Sequence, residues 1–453
     1  MSIDPLAFTN CPLENISVHS ENTYFQTDSK SIFSGENNST LLRVVETFPE
    51  SEYTVCNCVS SISDYCFFQC VNISSIRINS DITSIGKCVF KYCTSLTRVE
   101  LSKKLTEIGD EAFYGCYKLT SLTISENAAS PNFKKLQQNE NLNIIDITVT
   151  RISYKIFAYC SSLTNIEIGQ SITEIGDEAF CECKSLSSIT IQGNDMRFGN
   201  SVFQLCISLI NIIIKGKIVE IGFAAFYFCE SIKSIIIKGN ISIINAYTFC
   251  NCFSLEYISL PENVICIYMV AFSSCISLTN FIFPKQLTTV ELDAFFNCTS
   301  LTRITFPENV KVIGAGVFRS CTNLKSITFD SNSNNISIDG NPFYMISDQV
   351  NIFIPGTFNI SRTYPGIFPE KSHLYITNKT ILLDLSKTLF GEKTMIVHYV
   401  DMTRISDEKT DDVIRYIALE IKYPKTMQNV AYDKSKYLFV MNVLISVYRR
   451  NKF

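Results

Sequence analysis

From Phe67 onward an apolar residue, almost always phenylalanine, returns at near-constant spacing. The positions are Phe67, Phe90, Phe113, Leu136, Phe157, Phe180, Phe203, Phe226, Phe249, Phe272, Phe295, Phe318 and Phe343. The step is 23 residues, except 21 after Leu136 and 25 before Phe343. A unit this short cannot enclose a core of its own, so thirteen of them in series must bury their apolar residues against one another. The unit is legible in two nearly identical stretches, "LTEIGDEAFYGCYKLTSLTI" (Leu105 to Ile124) and "ITEIGDEAFCECKSLSSITI" (Ile172 to Ile191). Both read I-G-x-x-A-F-x-x-C-x-x-L-x-x-I-x-I. The final part alternates apolar and polar residues, which predicts a strand with one buried face. In the "GDEAF" part, Asp110 and Asp177 stand where helix N-caps would, followed by Glu and Ala, so a short helical turn is expected there.

This consensus resembles the BspA-like, or treponemal-type, class of leucine-rich repeat, and it covers residues 51 to 354. The resemblance implies a solenoid whose strands form one parallel sheet, and it implies adhesion or host-protein binding as a frequent role. No ligand transfers with it, because the shared residues are core residues. The fold expected is therefore an α/β repeat solenoid of leucine-rich repeats of about 23 residues. Residues 1 to 50 hold two short strand-like runs about a Ser/Gly/Asn turn and read as an N-terminal hairpin cap. Two units degrade. Around Leu136 the Cys position is Asn139, which predicts a local insertion or bend. Around Phe343 the Cys and Leu positions are Ile346 and Gln349, as in a terminal repeat, so the array is expected to end near Pro355. Residues 355 to 453 show no period. Strand-like "TILLDL" and "TMIVHYV" followed by helix-like "TDDVIRYIALEIKY" and "KSKYLFVMNVLISVYRR" predict a small mixed α/β C-terminal domain.

An apolar fraction of 46% with 18% charged residues describes a folded chain. A formal net charge of -4 supplies no basic field for nucleic acid. The longest apolar run, Tyr437 to Tyr448, is shorter than the roughly 20 residues that span a bilayer. The first residues, "MSIDPLAFTNCPLENISVHS", lack the basic and apolar regions of a secretory leader, which argues for the cytoplasm. The resemblance implies the cell surface, and the compartment stays open between the two.

Of 19 cysteines, eleven fall in register: Cys70, Cys93, Cys116, Cys160, Cys183, Cys206, Cys229, Cys252, Cys275, Cys298 and Cys321. Free cysteine serves as a small buried hydrophobe, and side chains aligned in parallel are poorly aimed for bridging, so a reduced ladder is expected. The pairs Cys56/Cys58, Cys181/Cys183 and Cys250/Cys252 could begin metal sites, but no four-ligand zinc set accompanies them. With His19, His373 and His398 the only histidines, and no nucleophile or phosphate-binding motif, no catalytic residue, cofactor or metal is assigned. A pocket around His373 or His398 would be required of any enzyme in the C-terminal region.

What remains is a recognition surface. In L-x-x-I-x-I the residues two and four after the Leu should face outward. Most are small and polar, but Ile213, Ile236, Tyr257 and Ile282, from four successive coils, predict one apolar stripe flanked by Asn211 and Asn280, a candidate protein-binding site. A charged group, Arg77, Arg98, Glu100, Asp146 and Glu167, lies on the same face and reads more simply as solvated surface. The function expected is non-enzymatic binding of a protein partner, adhesion-like by resemblance. The alternative is an intracellular scaffold acting through its C-terminal domain.

Overall fold

The computed structural model describes the chain from residue 3 to 124 and from 151 to 376, apart from gaps of one to five residues, and beyond these the strands 143–145, 396–399 and 417–418. Contacts divide it into two units, Met1–Pro261 with Ala271–Ser277, and Glu262–Val270 with Leu278–Phe453.

In the first unit each coil contributes two strands. The longer one is the predicted I-x-I segment: Glu52–Val55, Ser75–Ile78, Arg98–Leu101 and Ser121–Ile124 pair in parallel. Asn143–Ile145, Asn165–Ile168, Ser188–Ile191 and Asn211–Ile214 do the same. Partners lie 23 residues apart, so the sequence period is the sheet register. The shorter strand is the E-I pair before the recurring glycine, as in Glu107–Ile108 and Glu174–Ile175, and it builds a second set of parallel ladders. The expected single sheet is corrected on this point. A coil of this length must turn back on itself, and both straight segments present unpaired backbone groups that the neighbouring coil satisfies.

The predicted helical turn does not form. Among the described residues the only helical segment is a short 3-10 turn, Glu36–Asn38, so the α component of the α/β reading falls away and the fold is an all-strand parallel solenoid. The coil of Phe180 shows why. Glu178, Phe180 and Glu182 donate their N–H groups to Asn200, Val202 and Gln204 of the next coil, at 2.8 to 2.9 Å. The alternate residues Ala179, Cys181 and Cys183 donate three positions back within the turn. A helix needs every N–H for the residue four positions back; here half of them go to a neighbour instead. The geometry also requires left-handed backbone at Glu178 (φ 55°) and Glu182 (φ 57°), each costing about 1 kcal/mol for a residue with a Cβ. Asp110 and Asp177 do cap, but across coils: their carboxylates accept from the N–H groups of Tyr154 and Asn200.

Behind the turns the phenylalanines stack in a column. Phe67, Phe90 and Phe113 are followed directly by Phe157, then Phe180 to Phe272, with centroids 5.0 to 5.5 Å apart. All are fully buried, each contributing roughly 1.5–3 kcal/mol relative to exposure. The column passes over Leu136, which lies outside the described residues. Phe113 N–H donates to Ile156 O, 43 positions on in place of the usual 22. On the sheet side, however, Asn143–Ile145 fills a register position beside Asn165–Ile168. The expected insertion is therefore one-sided, an added strand without an added rung in the aromatic column, and twelve of the thirteen units carry a ladder phenylalanine.

At the N-terminal edge, Phe25–Thr27, Ser31–Ser34 and Thr40–Val44 are antiparallel to one another, and the last pairs in parallel with Ser61–Ile62. In the second unit the aromatic column runs Phe295, Phe318, Phe343 and Phe368. Its sheet continues past Pro355: Asn351–Ile354 pairs in parallel with His373–Ile376, which pairs in parallel with Ile396–Tyr399, and Ile417–Ala418 then adds antiparallel. The expected mixed α/β C-terminal domain is corrected to this extent. Ile417–Ala418, inside a stretch read as helix, is a strand, and the strands beyond 355 extend the repeat sheet. The stretch "TILLDL" and the rest of the two helix-like stretches lie outside the described residues.

Candidate functional site

The long-strand face is built by alternation. In Arg98–Leu101, Val99 and Leu101 are buried while Arg98 points to solvent, and the parallel register repeats this in each coil. Hydroxyls at the position after Leu tie the coils together: Thr97 donates to Ser74 O, Thr120 to Thr97 O and Ser187 to Thr164 O.

The six candidate residues divide between the units. In the first, Asn211 and Ile213 stand opposite Ser188 and Thr190, and Tyr257 stands opposite Ser234, with Ser259 opposite Ile236. Ile213 and Ile236 hold equivalent places, 23 residues apart, on neighbouring coils whose long strands belong to separate sheets, and Tyr257 stands two residues out of line with Ile236. The line is a diagonal rather than a straight stripe. Ile213, Ile236 and Tyr257 are 51%, 52% and 49% exposed. Ile210, one residue before Asn211, is also exposed; the outward rule did not find it because it lies just ahead of the strand. In the second unit Asn280 bridges to Arg303 and Ile282 is 72% exposed. Further along that unit the rule fails: Ser326, Thr328 and Phe353, expected outward, are buried, with Tyr375 stacked on Phe353 at 4.8 Å.

The charged group is internally paired. Glu100 accepts from Arg77 at 2.8 Å and from Arg98 at 2.7 Å, and Glu167 accepts from Gln192. Asp146 lies outside the described residues. These pairs are largely solvent-facing and add little stability.

The cysteine column has a directed role that composition did not disclose. Nine of the eleven ladder thiols donate to the carbonyl of the ladder phenylalanine one coil back, among them Cys93 to Phe67 at 3.0 Å, Cys160 to Phe113, Cys183 to Phe157 and Cys206 to Phe180 at 3.1 Å, and Cys321 to Phe295 at 3.1 Å, while Cys70 turns to Val45 O at 3.5 Å. Burial pushes the thiols of Cys93, Cys116 and Cys206 well above their ordinary range, so these three remain protonated and unreactive. Cys56 and Cys58 are joined as a disulfide, and the other cysteines are free. No group of three or more metal-ligating side chains occurs among the described residues. Of the histidines, His373 lies in a parallel strand beside Tyr375, His398 holds the next strand's register position, and His19 accepts from Glu21 N–H in an exposed turn.

An aromatic ridge on the turn edge was not anticipated either. Phe68, Tyr92, Tyr114 and Tyr159 follow one another at 6.2, 5.5 and 5.1 Å. The Lys91 ammonium lies over the Tyr114 ring and pairs with Glu111. Burial raises the Tyr114 hydroxyl. The signal was present as aromatics one or two places after the ladder phenylalanine, but its members satisfy one another.

A model of the BspA type leucine rich repeat region matches residues 60–150, 129–253 and 242–368, six copies in all and more than half of the chain. The chain belongs to the BspA-type leucine-rich repeat family. Among solved structures, a leucine-rich repeat protein from Bacteroides ovatus is similar at 22% identity, covering 70% of this chain and 93% of that one, with a TM-score of 0.43. A leucine rich cell surface protein from Faecalibacterium prausnitzii is 22% identical over 71% of this chain and 96% of its own, with a TM-score of 0.42. The pneumococcal vaccine antigen PcpA is 18% identical over 82% and 87%, with a TM-score of 0.39. No curated protein matches. The BspA-type match is to a repeat family, and no catalytic family is indicated. No helix among the described residues is long and apolar enough to cross a membrane.

Proposed function

We propose that this BspA-type repeat protein is a non-enzymatic protein-binding module that acts through the outward face of its long-strand sheet, in an adhesion-like role. The observation that supports this reading is the half exposure of Ile213 and Ile236, at equivalent places on neighbouring coils, with Tyr257 half exposed on the strand beside Ile236. Aliphatic side chains held apart from the core on a rigid sheet lose little conformational entropy on binding and gain by desolvation. An aromatic neighbour is the residue type most often found at the centre of such contacts. The test is a comparison of the chain with its Ile213→Ser/Ile236→Ser variant, by surface plasmon resonance against immobilised extracellular-matrix and serum proteins. Both substitutions are on the solvent side, so the melting temperature should hold while affinity falls by about tenfold or more. Equal binding by the two chains, or no binding by either, would remove the reading.

A further inference from the structure

The isoleucine pair has a cationic border. Two residues beyond Ile213 and Ile236 stand Lys215 and Lys238, both exposed; the Lys238 carbonyl accepts from the Ile218 N–H at 2.7 Å. The Lys215 N–H donates to Ile191 O at 2.9 Å, so its backbone is still part of the sheet ladder and its side chain shares the outward face with Ile213. Lys233, exposed, stands at the other end of its strand, one residue before Ser234. None of these three lysines has a carboxylate within ion-pair distance among the described residues. Of the nearby acidic residues, Glu220 is taken by Arg197 at 2.7 Å, whereas Glu256 stands beside Lys233, its N–H donating to the Lys233 carbonyl at 2.9 Å. In a chain of net charge -4, Lys215 and Lys238 thus stand exposed without an ion-pair partner among the described residues. Elsewhere on the same face basic residues are neutralised, as Arg77 and Arg98 are by Glu100.

We infer that this face takes an acidic amphipathic segment of a partner protein, with aliphatic side chains seated on Ile213 and Ile236 and carboxylates on Lys215 and Lys238. The inference rests on the proposed protein-binding reading and adds the chemistry of the partner to it. Spacing sets the pattern required. Along the strand Ile213 and Lys215 are two residues apart, about 7 Å, and the next coil offers Ile236 and Lys238 at the equivalent places in sequence. A segment with one apolar and one acidic side meets both pairs at once, whereas a purely acidic tail would leave the isoleucines wet and a purely apolar one would bury the ammonium groups unpaired.

The probes are two synthetic 18-residue helical peptides, one with leucine and glutamate faces and one with lysine in place of glutamate, together with phosphatidylcholine vesicles containing phosphatidylserine. Binding to the full chain is read by fluorescence anisotropy or co-sedimentation. The expected result is that the acidic peptide binds and the basic one does not. The acidic peptide should also weaken with added salt, and lose about tenfold in both Lys215→Glu/Lys238→Glu and Ile213→Ser/Ile236→Ser. If both peptides bind alike and only the isoleucine variant matters, the acidic partner is excluded while the apolar docking face stands. If neither variant changes binding, or neither peptide binds, the inference and the docking face fail together. Vesicle binding lost in the lysine variant, without peptide binding, would overturn the protein partner in favour of an anionic lipid surface.

Discussion

At Cys206 the thiol donates to the carbonyl oxygen of Phe180, which already accepts from the Cys183 N–H at 3.2 Å. A carbonyl has two lone pairs, and in a buried corner closed to water the second is satisfied only if a side chain reaches it. Cysteine is small enough for the corner and still carries a donor, which alanine and valine do not. Cys206→Ala should therefore cost about 1–2 kcal/mol, the lost bond plus a small cavity, read from the denaturant midpoint. A midpoint equal to that of the unchanged chain would return the cysteine to a mere space-filler. The spacing of these cysteines was visible in the sequence and so was their burial. The sulfur-to-carbonyl bond was not, because it joins residues 26 positions apart across a stack whose offset only the folded chain defines.

The short strands depend on how closely coils approach at the recurring glycine. A Cβ built on Gly222 would lie 2.4 Å from the Gly199 carbonyl carbon, and one on Gly109 would lie 2.6 Å from that of Gly86. The contact is backbone on backbone, so no rotamer change relieves it. Gly222→Ala should destabilise by roughly 1–3 kcal/mol through overpacking. A thermal melt that showed no loss would mean that the coils can separate locally without consequence. The turn that follows was misread as helical because Asp, Glu and Ala after a glycine carry helix-start signals whatever the N–H groups later do. Local propensity is a weak preference, and the hydrogen bonds offered by the adjacent coil outweigh it. The long strands were read correctly because alternation reports burial directly. Ile213, Ile236 and Tyr257 were legible as outward residues for the same reason, while the diagonal offset of Tyr257 required the register.

Across the whole molecule the buried thiols couple stability to alkaline pH. An exposed thiol in the unfolded chain loses its proton near 9.0, whereas in the folded chain burial holds Cys93, Cys116, Cys183, Cys206 and Cys229 protonated well above that value. The folded state then binds more protons than the unfolded one, so their contribution is complete below pH 9 and declines as pH rises toward the folded value. Each such thiol lowers stability by about 1.4 kcal/mol per pH unit in that window. Urea midpoints should hold between pH 7 and 8 and fall steeply from pH 9 to 10; a flat profile would contradict the protonated ladder. The sequence by itself determined the repeat, its period, the residues that face inward and the family, because each coil sees the same neighbours and a periodic environment leaves a periodic trace. Tertiary structure alone decided that the turns are not helical, that the column steps from Phe113 to Phe157, and that the sheet runs on past Pro355. Those features depend on which backbone groups a neighbouring coil leaves unsatisfied, and no residue's own identity records that.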